Sequence, residues 1–168
     1  RLADGLLMSA IFRAYNDWLA EFCRTDPARL KGIAMINLDD VQEGIAELQR
    51  ARRLGLAGVL IAAYPWLDRP YSGAEYEPFW AAAQDLELPV GMHIATNRPS
   101  PDQLHGFQNV DTLSRSFLTN TGHWVRMSLG DMIFSGVFER HPRLMVGTVE
   151  QELSWIPHFL DRLDYTYT

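Results

Sequence analysis

Apolar residues recur every three or four positions at Leu7, Ile11, Ala14/Tyr15, Trp18 and Phe22, which predicts an amphipathic helix over Leu6–Arg24. Asp26-Pro27 stops it. Lys31–Leu38 (K-G-I-A-M-I-N-L) is a continuous apolar run and reads as a buried strand. Asp39 or Asp40 then caps a helix that turns Val41, Ile45 and Leu48 inward, and Gly55 ends it. Leu56–Ala63 (L-A-G-V-L-I-A-A) is a second strand, followed by a Pro-, Trp- and Tyr-rich loop over Tyr64–Gly73. Ala74–Leu86 is helical, with Tyr76, Phe79/Trp80 and Ala83 on one face.

Pro89 opens a third strand, Val90–Ala95, which finishes in His93, Thr96, Asn97 and Arg98. Pro99–Thr121 is a long polar connection, and loops of that length tend to be functional or mobile. Gly122–Arg140 reads as one long helix packing Val125, Leu129, Met132/Ile133 and Val137. Leu144–Glu150 is a fourth strand. Ser154 is placed to cap a last helix that has Pro157 in its first turn and Ile156, Phe159/Leu160 and Leu163 facing inward. One helix followed by four β-then-α units predicts an α/β fold with a parallel sheet. Half of a (β/α)₈ TIM barrel and a small doubly wound sheet both fit this pattern, and periodicity does not separate them.

Composition narrows the function classes. With 168 residues the chain is long enough for one domain, and a net charge of −6 without a basic tract argues against a nucleic-acid surface. The single cysteine, Cys23, excludes a disulfide framework or a Cys-rich zinc site and reads as a small buried hydrophobe. No apolar run approaches the ~20 residues of a membrane span, and no signal-peptide pattern is present. The expectation is a soluble cytoplasmic protein acting on a small molecule, with no nucleic-acid or membrane partner and with homo-oligomer formation left open. The chain begins at Arg1 rather than Met.

A parallel strand that ends in His, Thr, Asn and Arg delivers polar groups at its carboxyl edge, where α/β folds keep their sites. Six stretches then add a resemblance: R-L-K-G-I-A-M-I at 29–36, G-L-A-G-V-L-I at 55–61, Y-E-P-F-W-A-A-A at 76–83, L-P-V-G-M-H-I at 88–94, F-S-G-V-F-E-R-H-P-R-L at 134–144 and V-E-Q-E-L-S-W-I-P-H-F-L-D-R-L-D at 149–164. In this order they resemble the amidohydrolase-related family, the metal-dependent barrel group that includes aminocarboxymuconate-semialdehyde and dihydroxybenzoate decarboxylases. The resemblance implies a metal-dependent (β/α)₈ TIM barrel of which about strands three to six are present, as one domain truncated at both ends. It implies that His93 is a ligand of a divalent ion, zinc or manganese, and that further ligands come from first and eighth strands outside these residues. Glu150 stands where many members carry a sixth-strand histidine, so ligand, base and structural acid all remain open for it. The activity implied is hydrolysis, or non-oxidative decarboxylation of a small aromatic or unsaturated acid, with this chain by itself inactive. A barrel without catalysis, or a small binding module, is the alternative.

Each candidate also has a structural reading. His93 can be a core histidine, and Glu150 one arm of a salt bridge. Arg98 and Asn97 can hold a substrate carboxylate through the guanidinium fork, or be solvated loop residues. Tyr64 and Trp66 can wall a planar substrate or anchor a loop. His123 and Trp124 suit core and capping duties, while His105, His141 and His158 read as surface residues. Glu43, Glu47, Arg50, Arg52 and Arg53 read as a solvated helix face. No Gly-rich phosphate loop and no G-x-S-x-G elbow occurs.

Overall fold

The computed structural model describes residues 4–94, 96, 98, 115, 119–120 and 122–168. Its elements run α1 (Gly5–Cys23), β1 (Ile33–Met35), α2 (Val41–Arg53), β2 (Gly58–Ala62), a 3₁₀ turn (Ala74–Tyr76), α3 (Glu77–Asp85), β3 (Val90–His93), α4 (His123–Phe134), α5 (Val137–Arg140), β4 (Val146–Val149) and α6 (Ile156–Tyr167).

Local chemistry sets most helix ends. Of the two candidate caps, Asp40 is the one used: its carboxylate accepts from the Gln42 and Glu43 amides. Gly55, at φ +80°, ends α2 in a Schellman turn, with Leu56 N–H donating to Ala51 O and Gly55 N–H to Arg52 O. The same turn ends α3, where Glu87 takes the left-handed position at φ +53°.

Three expectations are corrected. Gly122–Arg140 is two helices, because Gly136 adopts φ +75° and breaks the ladder between α4 and α5. Ser154 does not cap α6: Trp155 is the N-cap residue and no side chain bonds there, although Pro157 does lie in the first turn. The α1 stripe of Leu7, Ile11, Tyr15, Trp18 and Phe22 faces solvent, and no residue of α6 is fully buried. For α1 the reason is Asn16, which turns the opposite face to the sheet. Its amide nitrogen donates to Met35 O at 3.0 Å and its oxygen accepts from Met35 N–H at 2.8 Å.

All strand pairs are parallel, and the order is β1-β2-β3-β4. A doubly wound sheet reverses its strand order at a switch point, and this sheet does not. With right-handed crossovers all stepping the same way, the connecting helices lie on one face. Ala34, Ile36, Val59, Ile61, Val90 and Met92 are buried on that face. The other face carries Met35, Leu60, Gly91 and Gly147 in one row, with Ala62, His93 and Val149 in the next. A singly wound parallel sheet of this kind is the arrangement of a barrel segment, and His93 lies at the carboxyl end of its inner face.

The α2 face is also corrected. Glu47 is buried, not solvated: it accepts from Asn16 at 2.8 Å, from Arg50 at 2.7 and 2.8 Å and from Arg13 at 3.3 Å. Burial opposes its ionisation, but the bonds from Arg50 and Asn16 and the Arg50 and Arg13 charges outweigh that, and its carboxyl titrates below the usual range. Likewise His141 is buried at a helix end, with Nε2 2.8 Å from Glu77 Oε2. Cys23 is half-buried. Among the described residues no helix is long and apolar enough to cross a membrane.

Candidate active site

His93 is the last residue of β3 and lies on the inner face. Its Nδ1 is 2.8 Å from Ile94 O. A carbonyl only accepts, so Nδ1 carries the proton and Nε2 presents its lone pair. That lone pair faces Glu150 Oε2 at 3.4 Å. Two acceptors facing each other require a proton or a cation between them, and the imidazole nitrogen is a fitting ligand for a divalent ion. Glu150 reaches this position from a left-handed backbone at φ +61°, uncommon for a residue with a side chain. Its side chain is 70% exposed, open for a further group. Among the described residues no group of three or more His, Cys, Asp or Glu is assembled for metal binding.

Thr96 ties the strand ends together: its hydroxyl donates to His93 O at 2.6 Å and accepts from Ala63 N–H at 2.8 Å. Arg98 N–H donates to Tyr64 O at 2.8 Å. The Arg98 guanidinium is not offered to solvent. It is 7% exposed, bonds Asp39 Oδ2 at 2.6 Å, and stacks 4.5 Å over the Trp66 ring. Trp66 Nε1–H donates to Asp39 Oδ1 at 2.8 Å. Asp39 therefore joins the loops after β1, β2 and β3. Sequence reasoning weighed it only as a helix cap, and its ambiguity with Asp40 was the available signal.

Tyr64 is buried against Trp124, with ring centroids 5.2 Å apart, and is no open aromatic wall. Burial first, then the charge and hydrogen bond of Asp131, push its hydroxyl above the usual range. Burial in turn raises the Asp131 carboxyl, partly offset by the Tyr64 bond. Ser128, also on α4, donates to Ala63 O at 2.6 Å. His123 is exposed at the start of α4 and caps nothing. His158 is exposed, as expected. Asn97 and His105 lie outside the described residues.

The structure thus brings His93 and Glu150 together and sets Trp66 and Arg98 at a neighbouring cavity of about 170 Å³.

The amidohydrolase family model matches residues 2–163. A gamma-resorcylate decarboxylase from Polaromonas sp. strain JS666 is 27% identical over 173 residues, covering 98% of this chain and 51% of the relative. Among solved structures, a 2,6-dihydroxybenzoate decarboxylase from Rhizobium superposes with a TM-score of 0.69 at 26% identity, over 88% of this chain and 46% of the other. A 5-carboxyvanillate decarboxylase from Novosphingobium aromaticivorans, solved with manganese and 4-hydroxy-3-methoxy-5-nitrobenzoic acid, gives 0.75 at 25% identity, over 99% and 46%. These neighbours are TIM-barrel enzymes, and the four-stranded sheet is a consecutive stretch of such a barrel. The chain spans about half the length of the curated relatives it matches.

Proposed function

Because the chain belongs to the amidohydrolase family, we propose that the protein is a metal-dependent carboxy-lyase that removes CO₂ from an aromatic carboxylic acid without oxidation. The observation that carries the reading is the approach of His93 Nε2 to Glu150 Oε2 at the carboxyl edge of the sheet. Decarboxylation is favoured over hydrolysis because the relatives are decarboxylases of aromatic acids by name.

His93 Nε2 would be one ligand of the ion, with its ring orientation held by Ile94 O and its backbone by Thr96. A nitrogen and oxygen donor set without thiolate suits manganese, the ion bound by the Novosphingobium relative. When bound, the ion supplies Lewis-acid polarisation and a template for the acid's oxygens. In the reaction the bond between ring carbon and carboxylate breaks, its electron pair stays on the ring, CO₂ leaves, and a proton is added to that carbon. Glu150, whose side chain is 70% exposed beside His93, is the group that takes a proton from solvent and passes it from Oε2 to that carbon. Arg98 serves as a strut for the three loops through Asp39, and Trp66 gives the neighbouring cavity an aromatic wall.

The test uses the full-length protein, its manganese content by elemental analysis, and CO₂ release from hydroxybenzoates. His93→Ala should lose metal and turnover together, and Glu150→Gln should keep metal while losing turnover. Unchanged metal in His93→Ala, or hydrolysis of amides and lactones with no CO₂, overturns the reading.

A further inference from the structure

The chain leaves β4 through a turn with two left-handed glutamates, Glu150 at φ +61° and Glu152 at φ +58°. A side chain is disfavoured in that region. Two such residues one position apart persist only where their surroundings hold them. Between them Gln151 is 3% exposed, and its carbonyl accepts from the Trp155 indole N–H at 2.7 Å. Trp155 is itself fixed in place. It packs against the hydrophobic core, meets the Phe159 ring edge-on with centroids 5.5 Å apart, and lies beside Gly122, where a Cβ would come within 3.7 Å of the indole.

This turn decides where Glu150 points. Val149 pairs in register with His93, and its carbonyl accepts from Ile94 N–H at 3.2 Å. Both side chains belong to the inner face. Side chains alternate along a strand, so a Glu150 that continued β4 would project to the opposite face, toward the connecting helices. The left-handed backbone reverses that direction, and Glu150 Oε2 lies 3.4 Å from His93 Nε2 instead.

We propose that Trp155 is a positioning residue for proton return: its hydrogen bond to Gln151 holds the 150–152 turn left-handed and so keeps the Glu150 carboxyl beside His93. Trp155 acts through the backbone of Gln151 and not on the substrate. The kinetic consequence rests on the function proposed above, while the placement of Glu150 rests on the turn alone. Glu152 has a testable share in it. Glycine at 152 would favour the same turn, and a β-branched residue would oppose it.

The experiment uses the full-length protein and reads two quantities. The first is the nitrogen NMR signal of the His93 ring in chelator-treated protein at fixed pH, which Glu150→Gln should shift by removing the facing carboxylate. Trp155→Phe, which keeps a ring and deletes the N–H, should shift it in the same direction while circular dichroism shows a folded protein. The second is turnover of hydroxybenzoates with manganese. Trp155→Phe should lower kcat about fivefold, the worth of one hydrogen bond, with KM and manganese content unchanged. Added to Glu150→Gln it should cause no further loss of the residual turnover, whereas a merely structural role would lower kcat by the same factor in both backgrounds. Glu152→Val should repeat the loss, and Glu152→Gly should restore kcat to Trp155→Phe. A His93 signal in Trp155→Phe that matches wild type, loss of manganese in that variant, or equal factors in the two backgrounds overturns the proposal. No CO₂ release from wild type, with the His93 signal still moved by Trp155→Phe, would sink the carboxy-lyase reading alone.

Discussion

The side-chain amide of Asn16 pairs with both backbone groups of Met35, donating to its carbonyl at 3.0 Å and accepting from its N–H at 2.8 Å. Met35 is on the first strand of the sheet, and its neighbours Ala34 and Ile36 turn their bonding groups to β2. Asn16 therefore does at this edge what another strand would do, and it also donates to Glu47.

Replacing Asn16 with Leu keeps the volume and removes the bonds. The Met35 N–H and C=O would then lack a mate and Glu47 would lose one of its bonds, so a loss of about 3 kcal/mol is expected in chemical denaturation. Asn16→Asp, which loses the donor to Met35 O and sets a carboxylate beside Glu47, should cost at least as much. A cost below about 0.5 kcal/mol for Asn16→Leu, the level of an ordinary surface change, would mean that the pairing is incidental.

Acid should weaken the attachment of α2. Glu47 has a folded-state titration below its unfolded one, so its contribution is complete at neutral pH. It should fade as pH falls from the ordinary carboxylate range through the lower folded value. Glu47→Gln should lower stability by about 2 kcal/mol at neutral pH and flatten the acid limb of the curve. Stability of the variant that tracks wild type across that limb would remove Glu47 as its cause.

The left-handed Glu87 offers a gain. It is exposed and occupies the turn position that glycine prefers, at φ +53°. Glu87→Gly should raise the stability by about 1 kcal/mol, the cost of a side chain in that region. Its thermal midpoint should therefore rise, whereas Gly55→Ala, at φ +80°, should lower it by a similar amount.

Asp39 and Arg98 form a pair with side chains 19% and 7% exposed. Asp39→Asn should cost about 3 kcal/mol because it leaves a buried guanidinium without its counter-charge. Adding Arg98→Met should recover part of that loss. A double variant less stable than either single one would contradict the pairing as the reason.

The β-then-α alternation, a cap at one of Asp39 and Asp40, the stop at Gly55, Pro157 in the first turn of α6 and the placing of His93 at a strand end were all legible from the chain, because each depends on residues within a turn or two. The six matching stretches added the barrel family. Which way α1 faces was not legible: its apolar stripe points to solvent because Asn16 finds Met35 nineteen positions away. Glu47 looked solvated because its spacing to Arg50 and Arg53 is that of a surface ladder, and only the packing of α1 on α2 buried it. Arg98 and Asp39 lie 59 positions apart, and His141 and Glu77 lie 64 apart. Local periodicity carries no information about partners at such separations. The meeting of His93 with Glu150 belongs to the same class, for it exists only because β3 and β4 are neighbours in register.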